Sequence, residues 1–176
     1  MKNMKLSRFL FAILAVVALI GAVAAQMNRV SPHETTELTL NGKKISVTYG
    51  RPSMKGRKIV GGLVPFGQVW RTGADEATML KTDADLTIGS LALPKGSYSI
   101  YTLPSETGWK LIVSKMVNQW GTVYDEKQDL GRVDMKIGKS PAPVEQFTIT
   151  LAKSGSGGVI KLAWENTTAS VDFQAK

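Results

Sequence analysis

The sequence predicts an all-β protein: a single-domain antiparallel β-sandwich, of jelly-roll or immunoglobulin-like type, behind an N-terminal signal peptide. Three observations carry this. Apolar and polar residues alternate at period two in many short runs between Thr35 and Gln174. Glycine, proline and asparagine separate those runs at short intervals. Outside the first 25 residues no stretch has the apolar period of an amphipathic helix. Short alternating strands bury one face each, and two packed layers satisfy that requirement.

The first element is the export signal. Lys2, Lys5 and Arg8 form a basic start, Phe9 to Ile20 an apolar run, and Ala22-Val23-Ala24-Ala25 a small-residue cleavage site. Residues 1–25 are read as the signal peptide and residues 26–176 as the domain. A retained membrane anchor is the competing reading. The apolar run is at the short end of the roughly 17–25 residues a spanning helix needs, and no cationic stop-transfer cluster follows it. The expected location is periplasmic or secreted, with no stable membrane span after cleavage. The chain has no cysteine, which excludes disulfides, a thiol nucleophile, a thiolate metal site and a lipid attached at cysteine.

Gln26 to Glu34 is polar, holds the only histidine, His33, and reads as an exposed lead-in. Thr35–Leu40 and Lys43–Tyr49 alternate on either side of Asn41-Gly42, the strongest short hairpin signal in the chain. Thr78–Asp83, Asp85–Ile88 and Leu91–Leu93 are short strands. Pro94-Lys95-Gly96 is a turn in which proline fixes φ and glycine supplies a left-handed position. Ser97–Leu103 and Trp109–Ser114 form a second hairpin. Lys115–Arg132 is irregular, with room for one helical turn. Val133–Ile137 and Val144–Ala152 are strands separated by Ser140-Pro141-Ala142-Pro143. Val159–Glu165 and Ser170–Gln174 are strands separated by a turn at Asn166-Thr167.

Gly50 to Ala77 is the least regular stretch and the most chemically loaded. It holds Arg51, Lys55, Arg57, Lys58 and Arg71, closes on Asp75-Glu76, and is broken by six glycines and two prolines. A connection of this length inside a domain is commonly functional. Arg51, Lys55 and Arg57 occupy odd positions, so in an extended segment they project to one side. Three cations there suit a carboxylate, phosphate or sulfate, and arginine adds bidentate geometry. Pairing with Asp75, Glu76 or the acids near Asp125 is the structural alternative. In an extended chain Asp75 and Glu76 point to opposite faces, a poor arrangement for two carboxylates acting on one bond.

Trp70 and Trp120 lie in irregular regions and are the better surface aromatics. Trp109 and Trp164 sit in strand patterns and read as core. Neither Asp83-Ala84-Asp85 nor the Asp125–Asp129 cluster has calcium-loop spacing, and one histidine without a second nitrogen or sulfur ligand does not make a zinc site. No metal and no cofactor is expected. The formal charge is +8; without Lys2, Lys5 and Arg8 it falls to +5, nineteen cations against fourteen acids. That excess favours anionic solutes or surfaces. No nucleic-acid motif accompanies it.

The segments R-P-S-M-K-G-R and V-W-R-T-G-A-D-E-A, then L-P-K-G-S-Y-S-I-Y-T-L-P, W-K-L-I-V-S-K, Q-W-G and L-A-W-E-N-T, resemble the exported bacterial family called domain of unknown function 2911. The resemblance runs from about Ser31 to Phe173. It implies one exported β-rich domain and carries no activity and no catalytic residue. In the family pattern Met54 and Asp75 stand at variable positions, which places more weight on Arg51, Arg57, Arg71 and Glu76.

The function is not given by any motif. The reading that follows is a non-enzymatic binding domain of the cell envelope. Arg51, Lys55, Arg57, Arg71 and Glu76 would face a small anionic or sugar-like ligand, with Trp70 or Trp120 stacked on it. A hydrolase of envelope carbohydrate or ester, with Glu76 as general base, is the second reading. A purely structural accessory protein is the third. The missing nucleophile, metal and facing-acid signatures favour binding over catalysis.

Overall fold

Alternation becomes pairing in the computed structural model, which describes residues 29–176. The signal-peptide reading of residues 1–25 lies outside the described residues. The strands are β1 His33–Leu40, β2 Lys43–Gly50, β3 Met79–Thr82, β4 Leu86–Ile88, β5 Leu91–Leu93, β6 Gly96–Pro104, β7 Trp109–Ser114, β8 Asp129–Ser154 and β9 Gly157–Ala175. They form one open antiparallel sheet in the order β1-β2-β3-β6-β7-β8-β9-β4-β5. The fold of the described residues is all-β, with one short 3-10 turn at Glu126–Gln128. Among the described residues no helix is long and apolar enough to cross a membrane.

The first hairpin follows its turn. Asn41 (φ 50°) and Gly42 (φ 73°) are both left-handed, as a type I′ turn requires. That sets the register Leu40↔Lys43 through His33↔Gly50. Ile45, Val47 and Tyr49 then share the buried face of β2.

Two expected breaks are absent. Pro141 and Pro143 do not end a strand, and Asn166-Thr167 does not turn the chain. β8 and β9 run on through both sites. The ladder between them instead shifts register between Lys139 and Val144 and again between Val144 and Thr148, and Glu165 opposite takes φ 53°. Proline donates no ladder hydrogen bond, so it is tolerated where pairing is already interrupted. Both long strands thus bend where their pairing is interrupted. Asp129–Met135 pair β8 with β7; Lys136–Lys139, before the interruption, and Thr148–Ser154, beyond it, pair β8 with β9.

This bend makes two layers from one sheet. The Tyr49 hydroxyl on β2 donates to the Ile149 carbonyl of β8 (3.3 Å) and accepts from the Ile149 amide (2.8 Å). Tyr49 and Phe147 meet edge to face at 5.7 Å. Between the layers, Ile45, Val47, Leu80, Ile88, Ile100, Leu111, Val113, Ile149, Ile160 and Phe173 form one continuous apolar cluster.

β6 is buried on both faces. Ile100 and Thr102 face the core, while Ser99 and Tyr101 on the other side are about 1 % exposed. The segment between β7 and β8 lies over them. Gln119 Nε2 donates to Ser99 Oγ (3.1 Å) and Tyr101 Oη (3.0 Å), and the Tyr124 ring packs on Tyr101 at 4.9 Å.

Candidate functional site

The two irregular segments meet. The Gly50–Ala77 stretch is pinned at one end where the Arg51 amide donates to Pro32 O (2.7 Å), and in its middle where Trp70 pairs with Thr102 of β6. At its other end Glu76 bridges to Trp120, the Ala77 amide donates to Gln119 O (3.1 Å) and the Gly121 amide donates to Asp75 O (2.9 Å). Two glycines allow this closeness. A Cβ at Gly50 would sit 2.3 Å from Ala74 O, and one at Gly121 would sit 2.7 Å from Arg71 Cδ and 2.8 Å from Asp75 O.

His33 is at the centre of this junction. It opens β1 opposite Gly50, and Gly50 O accepts from the Ala74 amide (3.2 Å). His33 Nε2 lies 3.2 Å from Asp75 Oδ2 and 3.4 Å from Glu76 Oε2. A carboxylate only accepts, so Nε2 carries the hydrogen. Asp75 Oδ2 also lies 3.4 Å from the Ser31 amide. The His33 side chain is 19 % exposed, so it is not the exposed lead-in expected from its polar surroundings.

The expectation that Asp75 and Glu76 face opposite ways is corrected too. It assumed extended backbone. Asp75 is left-handed at φ 64°, and so is Thr72 at φ 56°. The period-two rule fails at such a residue, and both carboxylates converge on one imidazole nitrogen. This three-residue cluster is what the sequence reading missed. A lone histidine forty-two positions from its acid gives no spacing signal. The available cue was the Gly73-Ala74-Asp75 run, where a turn residue breaks alternation.

Arg71 and Trp120 border the cluster. Arg71 Nε donates to Gly73 O (3.2 Å), and its aliphatic stem lies against Gly121. Its two terminal nitrogens have no hydrogen-bond partner among the described residues. Trp120 is 43 % exposed. Arg71, Glu76 and Trp120, three of the residues read as binding residues from the sequence, are therefore brought together.

The other four are placed elsewhere. Arg51 is spent on the fold: Nε donates to Phe147 O (3.1 Å), Nη2 to Thr148 Oγ1 (2.9 Å), and Nη1 pairs with Glu34. It ties the loop to β8. Arg57 turns back on its own loop, donating to Met54 O (2.9 Å) and Ser53 O (2.7 Å). Lys55 is exposed, and its amide is held by Glu145 Oε1 (2.9 Å). Trp70 packs inward, stacked on Trp164 at 5.8 Å and edge-on to Phe147 (5.0 Å) and Trp109 (6.5 Å). The crevice beside it measures about 10 Å³, room for one water and no ligand. Trp70 lies in an irregular segment but completes the core, because the Trp70–Thr102 bridge fixes it to β6.

The acids near Asp125 are neutralised locally. Tyr124 Oη donates to Asp129 Oδ2 (2.8 Å), while Arg132 reaches Asp129 (3.0 Å), Tyr124 Oη (2.9 Å) and Glu126 (2.7 Å). Burial first, then the Asp129 carboxylate, pushes the Tyr124 hydroxyl up to about 12. Asp85 Oδ1 accepts from the Lys95 amide (2.8 Å) and closes a turn. Among the described residues no group of three His, Asp or Glu side chains is arranged to hold a metal ion.

Comparison with the curated proteins and with the solved structures finds no match. The family model described as "Protein of unknown function (DUF2911)" matches residues 31–173, most of the chain and the whole of the folded core. The chain belongs to that family.

Proposed function

We propose that this is an exported, non-enzymatic binding domain of the cell envelope that takes a carbohydrate-like ligand where its two irregular segments meet. The observation that carries the reading is Trp120. A large ring held 43 % exposed, on a segment bridged to Glu76, costs solvation that packing would otherwise recover. On the adjoining backbone are Glu76, bridged to Trp120, and Arg71, whose stem lies against Gly121 and whose terminal nitrogens have no hydrogen-bond partner among the described residues. An exposed aromatic ring with a guanidinium and a carboxylate on neighbouring segments suits the flat face and ring hydroxyls of a sugar. Two carboxylates at His33 argue against a strongly anionic ligand at this place. Export rests on the charge and apolar pattern of residues 1–25, and puts the site in the periplasm or outside the cell.

The test is a melting screen of the folded unit against neutral and acidic envelope oligosaccharides, followed by calorimetric titration. A ligand of the native state raises the midpoint. Trp120→Ala and Arg71→Ala should each weaken it, the first by on the order of tenfold for the lost ring contact. If no oligosaccharide shifts the midpoint, or Trp120→Ala leaves the shift intact, the reading fails.

One observation favours hydrolysis as a second reading. With Nε2–H donated to Asp75 Oδ2 and Glu76 Oε2 lying 3.4 Å away, Nδ1 is left to accept, the arrangement of an oriented general base. Turnover of a glycoside or ester that disappears in His33→Ala, or in Glu76→Gln, would support it over simple binding.

A further inference from the structure

The cations that the junction does not use lie with exposed apolar residues on one loop. Residues 58–67 close on themselves. The Leu63 amide donates to Lys58 O (3.1 Å), Gly62 and Val64 donate to Ile59 O (3.1 and 2.9 Å), and Gly61 donates to Val64 O (2.9 Å). The Gly67 amide is fastened to Pro104 O (2.8 Å), and the Val60 amide to Glu165 Oε2 (3.2 Å). Ile59 and Val64 point inward and are fully buried. Leu63 and Phe66 are left outside, 46 % and 39 % exposed, with the Phe66 ring against left-handed Gly61. Lys55, Arg57 and Lys58 precede them and are all exposed.

None of these three cations forms an ion pair among the described residues. Arg57 bonds only to main-chain carbonyls and has no carboxylate partner among the described residues. The nearby carboxylates, Glu145 and Glu165, come from β8 and β9 and accept from the Lys55 and Val60 amides, not from the cationic side chains.

We propose that this loop is a docking surface for an anionic phospholipid bilayer, with Lys55, Arg57 and Lys58 at the headgroups and Leu63 and Phe66 in the acyl boundary. A soluble polyanion would account for the cations and leave the two apolar side chains in water. A bilayer interface accounts for both, because apolar burial and attraction to anionic lipid act together there. The loop is pre-shaped by its hydrogen bonds, so docking orders little chain. It is separate from the Trp120 junction, and the inference stands without that site.

The described core lies wholly between Leu40 and Phe173, so residues 31–176 carry their own core and can be tested without the apolar leader. The fragment should sediment with vesicles of phosphatidylcholine and phosphatidylglycerol, and not with phosphatidylcholine alone. Added salt should weaken the association. Each cation is worth about fivefold, so Lys55→Ala/Arg57→Ala/Lys58→Ala should lose on the order of a hundredfold at low salt. Leu63→Ser/Phe66→Ser should weaken it further with the cations intact. Because the chain has no cysteine, Leu63→Cys can carry a polarity-sensitive dye, whose emission should shift to the blue on anionic vesicles. No sedimentation, equal sedimentation with neutral vesicles, or an unshifted dye overturns the proposal. So does tight binding of dextran sulfate together with vesicle binding that the Leu63→Ser/Phe66→Ser pair leaves unchanged.

Discussion

Gly121→Ala is the sharpest probe of the junction. The new methyl would stand 2.7 Å from Arg71 Cδ, 2.8 Å from Asp75 O and 3.1 Å from Arg71 Cβ. The arginine stem can move, but the Asp75 carbonyl is backbone, and it accepts the Gly121 amide at 2.9 Å. Making room must lengthen that hydrogen bond and push Trp120 away from Glu76. Overpacking of this kind costs about 1–3 kcal/mol. For a domain of this size each kcal/mol moves the midpoint by about 2–4 °C, so a fall of roughly 2–12 °C is expected. Gly108→Ala is the matched control, since its added methyl would meet nothing within 4 Å and no left-handed φ is involved. It should melt with the parent protein. Calorimetry of the two variants reads the difference directly. If Gly121→Ala melts with Gly108→Ala, the two segments are not packed as described and the site loses its frame.

Tyr124→Phe tests the acidic network: a hydroxyl raised to about 12 when folded, against 10.0 when not, stabilises fully below pH 10 and loses that contribution as pH climbs from 10 towards 12. Alkaline unfolding followed by circular dichroism should therefore begin more gradually in the variant, with Tyr49, Tyr98 and Tyr101, also raised by burial, supplying the remaining slope. Phe147→Ala should cost about 3–5 kcal/mol in denaturant titration, because that ring touches Tyr49, Trp70 and Trp164 at once. Arg51→Ala should cost about 1–3 kcal/mol through lost bonds to Phe147 O and Thr148 Oγ1, and leave any sugar affinity at Trp120 unchanged; a selective loss of affinity would return Arg51 to the site. Asp75→Ala should be less stable than Asp75→Asn by about 1–2 kcal/mol, since asparagine tolerates the left-handed backbone and alanine does not; equal melting would mean that φ 64° stores no strain.

The strands were legible because one interaction decides them. Burying one face selects alternate residues, and Ile45, Val47 and Tyr49 announce β2 without help from the rest of the chain. The hairpin turn at Asn41-Gly42 is equally local. The bend was not legible. Pro141, Pro143 and Asn166 each signal a break in their own strand, but in the sheet they share one register shift, so a signal to stop became a signal to bend. That outcome depends on pairing between residues more than twenty positions apart. Trp70 misled for a related reason: an irregular segment suggested surface, while a single bridge to Thr102 placed the ring among Phe147, Trp109 and Trp164.

The junction shows where such reasoning must give way to backbone conformation. Thr72 is β-branched, fully buried and left-handed, a combination that ordinarily costs stability. Its surroundings over-determine it. Its hydroxyl donates to Thr102 Oγ1 (3.1 Å), and its carbonyl accepts from Thr78 Oγ1 (2.7 Å). Three residues later Asp75 is left-handed as well, held through its carbonyl by Gly121 and through its carboxylate by His33. With ordinary extended backbone at Asp75, adjacent acids would diverge and His33 would meet only one of them. The two left-handed residues convert a sequence neighbour pair into a spatial pair on one imidazole. Strain of this kind persists when the fold compensates it, and this fold spends buried threonines and two glycines on doing so. The acid–histidine cluster is therefore fixed by the backbone of the irregular segment, at the same junction that carries Trp120.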